Sequence, residues 1–293
     1  LGGMWLVRYV SEWFAPWMLL CWVGEWLGMG AMIVIPLVEI SRPLPDEAVA
    51  EIRRALNEYK VIFFRDQPMD AASQVAFARR FGELEVHPFL PANTSEPTVV
   101  KFEKSAKIGG FENGWHHDVT WREVPSMGAI LRAIEVPASG GDTLFADMVS
   151  AYDGLSDDGK QQIEKLDAVH DFIQVFGHSI ADDQKPIMRE RYPQVVHPVV
   201  CTHAETGRKH LYVNRFFTSH IVGMDADESD RLLAYLYQQA SCPEYQVRFR
   251  WKRDSIAFWD NRSSQHYAAS DYYPQVRVME RVTIKGDRPY FRP

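Results

Sequence analysis

The stretch Ser255–Ile284, "SIAFWDNRSSQHYAASDYYPQVRVMERVTI", decides the class of fold. It opens on the apolar run "SIAFWDN" (255–261), crosses a polar turn, and ends on "QVRVMERVTI" (275–284). There Val276, Val278, Val282 and Ile284 alternate with Arg277, Met279, Arg281 and Thr283. A period of two marks a strand whose faces meet different surroundings. Five more β-type runs precede it: "PTVVKF" (97–102), "GAILRAIEV" (128–136), "QVVHPVV" (194–200), "HLYVN" (210–214) and "QVRFRW" (246–251).

Helical signals are fewer. Val49, Ile52, Leu56 and Tyr59 recur at helical spacing after Asp46 and Glu47, and a buried strand, "VIFFRDQ" (61–67), follows. Asp70 is a good N-cap for a helix reaching Phe81, and Gly82 is placed to end it. Two further helices are predicted over 156–169 and 227–240. Short strands with Gly, Pro, Asn and Asp punctuation, and no regular strand-helix alternation, predict a mainly β fold: an antiparallel sandwich or jelly roll with surrounding helices. Without a repeat, linker or low-complexity tract, 41–293 reads as a single domain.

Composition bounds the chemistry. A hydrophobic content of 46% and an aromatic content of 13% in 293 residues allow a sizeable core. A net charge of -7 and no dense Lys/Arg block argue against nucleic acid or an anionic membrane as partner, so an acidic ligand must be held by local cations. Cys21, Cys201 and Cys242 are odd in number and far apart, which suits a reducing compartment and predicts a cytoplasmic protein. Residues 1–40 are apolar and carry Trp5, Trp13, Trp17, Trp22 and Trp26. Glu12 and Glu25 break that stretch into uncharged runs shorter than the ~18 to 20 residues of a spanning helix. The expectation is an atypical N-terminal extension packed on the domain, or a true start at an internal Met such as Met29 or Met32, with an export signal or anchor as the alternative.

The chemistry-bearing residues concentrate in "GWHHDVTW" (114–121) and in the opening stretch. In extended backbone, side chains two apart share a face, so His116 and Asp118 point together and His117 points away. His266, after a strand and a turn, can return to the same end of a barrel. Two imidazoles and one carboxylate leave open positions on a metal and suit non-haem Fe(II), whereas zinc more often takes three histidines or thiolates. Arg277 and Arg281 share a strand face, and inside a barrel each needs an anionic partner: an internal salt bridge, or a small acidic molecule.

These residues resemble the Fe(II)/2-oxoglutarate-dependent taurine dioxygenase family, which includes alkylsulfatases and aryloxyacetate dioxygenases. The match runs from about Ser41 to Arg292 through "RFGELEVHP" (80–88), "WHHDVTW" (115–121), "GGDTLFADM" (140–148), "HPVV" (197–200), "WDNRSSQHYA" (259–268) and "RVTIKGDRPYFR" (281–292). The resemblance implies a double-stranded β-helix, a cupin-like jelly roll, with His116, Asp118 and His266 holding Fe(II). It implies Thr143 and Arg277 on the distal carboxylate of 2-oxoglutarate, and O2 as second cosubstrate, with ascorbate as activator. For a sulfonate substrate it implies His87 and Arg281 on the anion, and Phe176 and Phe217 as aromatic walls. The expected reaction hydroxylates the carbon next to the sulfur group. Taurine would then give aminoacetaldehyde and sulfite, and alkyl sulfates and aryloxyalkanoates are the alternatives within the family.

Trp115, Phe258 and Trp259 are expected to keep water from the metal. Three departures from taurine-cleaving members stand out: Glu112 in place of an asparagine, Leu90 in place of a tyrosine, and His117 in place of a threonine. Glu112 would pair with an ammonium group. The family's Gly-rich opening strand is not recognisable in 1–40. A homo-oligomer, dimer or tetramer, is implied, with Leu232–Tyr237 as candidate interface. The rival from another class is a non-catalytic jelly roll that binds a metal or an anion.

Overall fold

A computed structural model of the chain describes residues 38–87, 95–105 and 113–293, together with the backbone at 22–23 and 33–35. In chain order its elements are β1 (Trp22–Val23), β2 (Ile33–Ile35), α1 (Asp46–Tyr59), β3 (Val61–Phe64), α2 (Ala71–Arg79), β4 (Val99–Lys104), β5 (Ser126–Glu135) and β6 (Thr143–Asp147). Next come α3 (Met148–Asp153), α4 (Asp157–Ile163), β7 (Asp167–His170), α5 (Ile173–Phe176), α6 (Lys185–Arg191), β8 (Val195–Pro198), β9 (Val200–Thr202), β10 (Lys209–Leu211) and β11 (Thr218–Ile221). The chain closes with α7 (Ala226–Gln239), β12 (Gln246–Phe249), β13 (Ile256–Asp260), β14 (Ser264–Ala268) and β15 (Arg277–Lys285).

The frame is a jelly roll. A seven-stranded sheet runs β1-β2-β3-β13-β5-β15-β4, antiparallel except where β2 pairs with β3, and a three-stranded sheet runs β12-β6-β14. Strand alternation divides the large sheet's side chains cleanly. Val61, Phe63, Ala129, Ala257, Trp259 and Met279 meet Phe145 of β6 and Phe249 of β12 in one core. Their neighbours Ile62, Phe64, Ile130, Ile256, Phe258, Val282 and Ile284 face the other way and are covered by α1 and α2. These two clusters explain why the strands read as apolar on both faces. A third cluster packs α3 and α7 against β9, β10 and β11.

Local signals account for most boundaries. Asp70 caps α2 by accepting from the Ser73 amide at 2.8 Å, and Lys60 ends α1 in the left-handed region, its ammonium donating to the carbonyls of Asn57 and Glu58. The predicted helix over 156–169 is corrected. Ser156 caps α4, but the helix stops at Ile163 and Asp167–His170 turns into β7, sandwiched between β8 and β11. Pairing of Val169 with Val196 on one side and His220 on the other overrides the local helical pattern. Residues 1–40 also contribute more than expected, because β2 extends the large sheet and Ile40 is buried, its amide donating to Gln67 Oε1 at 2.9 Å. Within 232–237, Leu233 and Leu236 are core, Tyr237 donates to the Thr218 carbonyl at 3.1 Å, and Tyr235 is exposed. No helix among the described residues is long and apolar enough to cross a membrane.

Candidate active site

The hairpin from β13 to β14 brings His266 back beside the segment that carries His116. The two histidines form an isolated antiparallel bridge, His116 N donating to His266 O at 3.1 Å and His266 N to His116 O at 2.9 Å. Asp118 lies two residues further along, where the segment enters a turn. The ligand atoms of His116, Asp118 and His266 all lie within 4.8 Å of one another, and the three side chains are buried. Val119, immediately after, adopts φ +50°, a conformation costing a β-branched residue about 1–3 kcal/mol, so the surrounding structure must hold this turn.

The imidazoles are oriented from behind. His116 Nδ1 sits 2.9 Å from the Gly114 carbonyl, which can only accept, so Nδ1 carries the proton and Nε2 keeps its lone pair for the carboxylate side. Phe216 stacks on the His116 ring at 4.6 Å. A Cβ on Gly114 would lie 2.3 Å from that phenyl ring, so any side chain there would push Phe216 off the His116 ring. His266 Nε2 and His116 Nε2 each lie 3.9 Å from an oxygen of Asp118. Burial alone would raise the Asp118 carboxyl, but Arg281 and the histidines outweigh it and hold the group below the usual carboxylate range. Burial, with His116 next in effect, pushes His266 down to about 3, leaving it neutral and able to donate a lone pair. This donor set of two imidazoles and one ionised carboxylate fits Fe(II).

Two cationic stations flank the triad. Arg281 Nη1 lies 3.0 and 3.2 Å from the Asp118 oxygens, whereas its Nε is buried with no hydrogen-bond partner among the described residues. His87 lines the same cavity, and burial together with the Arg281 charge pushes it down to about 3. Arg277 lies between the rings of Trp251 and Tyr272, each 5.9 Å from the guanidinium carbon. Trp251 Nε1 donates to Thr143 Oγ1 at 2.9 Å, which ties Thr143 to the Arg277 surroundings. The cavity joining these groups has a volume of about 1350 Å³. Part of its lining is apolar: Val119, Trp121, Phe176, Ile180, Met188 and Phe217 belong to one hydrophobic cluster and line it, with Gln174, His178 and Arg215 beside them. Phe176 and Phe217 lie 6.3 Å apart.

The expected residues thus divide. His87, His116, Asp118, Thr143, Phe176, Phe217, His266, Arg277 and Arg281 all line one cavity. His117 points away, as the alternation required, to within 4.9 Å of Tyr212. Of the three proposed water shields only Trp259 lines the cavity; Phe258 packs under the helices against Phe81, and Trp115 packs toward Tyr267. Phe258 and Trp259 are successive strand residues and must face opposite ways. Glu112 and Leu90 lie outside the described residues. Trp251 and Asn261 were not singled out in the sequence. Both adjoin strand ends that were read, yet a tryptophan and an asparagine there have ordinary core and turn explanations.

Residues 28–283 match the family model described as taurine catabolism dioxygenase TauD, TfdA family. The chain belongs to this family. It is an Fe(II)- and 2-oxoglutarate-dependent dioxygenase that uses O2. An alkylsulfatase of Acinetobacter baylyi is 37% identical over 259 residues, covering 85% of this chain and 80% of that protein. An α-ketoglutarate-dependent 2,4-dichlorophenoxyacetate dioxygenase of Cupriavidus pinatubonensis is 33% identical, covering 85% and 93%. Among solved structures, a taurine dioxygenase from Burkholderia xenovorans superposes with a TM-score of 0.77 at 34% identity, covering 88% of this chain and 87% of its own. The structure titled AAD-2 in complex with Mn(II) and N-oxalylglycine gives a TM-score of 0.77 at 28% identity, covering 92% and 99%.

Proposed function

We propose that this dioxygenase hydroxylates the carbon bearing the ester oxygen of an alkyl sulfate, with His116, Asp118 and His266 holding Fe(II). The observation that carries the substrate is the apolar cluster that lines the cavity along with the cations. An alkyl chain laid along Val119, Phe176, Ile180, Met188 and Phe217 would remove apolar surface from water on both partners, worth roughly 25 cal/mol per Å². Taurine has no such chain and would leave that apolar surface uncovered. The alkylsulfatase of Acinetobacter baylyi, and an α-ketoglutarate-dependent sulfate ester dioxygenase of Pseudomonas putida at 36% identity, support the same direction.

The protein's part is binding and orientation. Arg277 and Thr143 take the distal carboxylate of 2-oxoglutarate, the guanidinium supplying charge and the hydroxyl a directed hydrogen bond. Arg281, whose Nε is left as a buried donor, takes the sulfate together with His87, which remains neutral near pH 7 and donates without adding charge. Bound iron supplies the oxidising chemistry by coupling O2 to decarboxylation of 2-oxoglutarate. Arg281 contacts Asp118 and would hold the sulfate, so the anion sits beside the metal ligands and the adjacent C–H bond is placed for attack. The balance is R-CH2-OSO3⁻ plus 2-oxoglutarate plus O2 giving R-CHO, hydrogen sulfate, succinate and CO2. The hydroxylated carbon carries a sulfate leaving group and collapses to the aldehyde.

Specificity constants for hexyl sulfate, ethyl sulfate, taurine and phenoxyacetate test this reading. Hexyl sulfate should exceed ethyl sulfate and taurine by at least about tenfold, since each buried methylene contributes about 0.8 kcal/mol. A higher constant for taurine or phenoxyacetate would reject the alkyl sulfate assignment and leave the enzyme class intact.

A further inference from the structure

The turn that places Asp118 is held from the opposite side of the site by one fully buried side chain. Asn261 lies just past β13 in the turn that leads into β14 and His266. Its Oδ1 accepts from the Asp118 amide at 2.7 Å, and its Nδ2 donates to the Asp118 carbonyl at 3.0 Å and to the Ser126 carbonyl at 3.2 Å. Its own amide donates to the Met127 carbonyl at 2.9 Å. A primary amide is the side chain that offers an acceptor and two donors in one plane, so it can copy a peptide group and close a two-point pairing with a backbone residue. Asp118 is 143 residues away in sequence, and its side chain remains turned toward the histidines while its backbone is occupied.

We infer that Asn261 is a positioning residue for metal binding: it pins the backbone of Asp118, and with it the left-handed turn at Val119, so that the carboxylate is aligned with the histidines before an ion arrives. Two ties then join the two arms of the site. The backbone bridge between His116 and His266 fixes the imidazoles to each other, and Asn261 fixes the carboxylate arm to the hairpin that carries His266. Either tie alone leaves one ligand free to pivot. Arg281 does not substitute for the second tie, because it holds the Asp118 oxygens and not its backbone. The inference rests on reading His116, Asp118 and His266 as the metal ligands.

The test uses the full chain and Mn(II) as the probe, with affinity measured by calorimetry and melting temperature recorded for each variant. Asn261→Asp keeps the acceptor for the Asp118 amide and loses both donations by Nδ2. Leu56→Ala, in the core between α1 and the large sheet, provides destabilisation remote from the site. Outer partners of metal ligands typically set affinity by about 10–100-fold, and a loss of that size is expected for Asn261→Asp and not for Leu56→Ala. Wild-type Mn(II) affinity in Asn261→Asp would overturn the inference. Should that variant fail to fold, Asn261→Ser, which shortens the side chain out of reach of the Asp118 backbone, replaces it under the same criterion. His116→Ala measured alongside separates the two levels: if it binds Mn(II) like wild type, the triad reading itself fails, and if it loses binding while the Asn261 variant keeps it, only the clamp fails.

Discussion

Two groups of buried histidines sit back to back on the segment Trp115–Trp121, and their difference shows what makes a site. On one side His116 and His266 turn their Nε2 atoms toward the Asp118 carboxylate and open on the cavity. On the other, His117, His170, His197 and His210 gather around Tyr212, with ring separations of 4.9–6.1 Å from it, and none of them lines the cavity. Here the hydrogen-bond partners are a hydroxyl and backbone carbonyls: His170 Nδ1 lies 2.9 Å from the Thr120 hydroxyl, and His197 Nε2 lies 3.0 Å from the Thr120 carbonyl. Residue type and burial are the same in both groups. The carboxylate and the open face belong to one of them.

The largest effect that would break this comparison is functional. His116→Ala or Asp118→Ala should reduce 2-oxoglutarate turnover to background, whereas His117→Ala should keep it while losing about 1–3 kcal/mol of stability as a core truncation. Succinate formation and thermal melting of the three variants decide it, and turnover lost in His117→Ala but kept in His116→Ala would reverse the two sides. Next come the two cations on β15. Removing a charge-assisted contact costs about 1.5–3 kcal/mol, so Arg277→Ala should raise the KM for 2-oxoglutarate about 10–100-fold and Arg281→Ala that for the alkyl sulfate. The opposite pattern would exchange the anion sites.

A third prediction concerns pH, which acts on buried histidines of both groups. His170, His197 and His210 are held below the ordinary histidine value of about 6.5, foremost by burial, and His210 lies down at about 3. A histidine with a depressed folded-state pKa contributes stability that is fully present above 6.5 and is lost as pH falls toward its folded value. His210 alone should cost about 1.4 kcal/mol per pH unit below that point and the other rings act in the same direction, so the metal-free protein should melt progressively lower from pH 7 to pH 5. An unchanged melting temperature across that window would mean that these rings are protonated or paired in the fold. The smallest effect concerns Trp251. Trp251→Phe removes one neutral hydrogen bond to Thr143 and should raise the KM for 2-oxoglutarate about 3–10-fold with kcat kept, as steady-state kinetics can resolve.

Sequence reading reached the frame and the first contacts of the site because both follow short-range rules. A period of two in Val276–Ile284 places Arg277 and Arg281 on a common face, and the H-x-D spacing places His116 and Asp118 together; all four line the cavity. Where the reading failed, long-range pairing was decisive. Asp167–His170 looks helical until β8 and β11 claim its backbone. Phe258 and Trp259 were assigned to one role, although strand geometry sends Phe258 under the helices. Asn261 and Trp251 act through partners more than 100 residues away, at 143 and 108, and no local pattern announces such contacts.

The account stands on coupled turnover at the front face of that segment. Its most direct test is the product yield from hexyl sulfate in one aerobic reaction with Fe(II), ascorbate and 2-oxoglutarate, assaying succinate and free sulfate together. The prediction is equal amounts of both, dependent on Fe(II) and 2-oxoglutarate, with ascorbate raising the yield without entering the stoichiometry. Succinate without sulfate, or no succinate from a protein shown to bind the metal and 2-oxoglutarate, would contradict it.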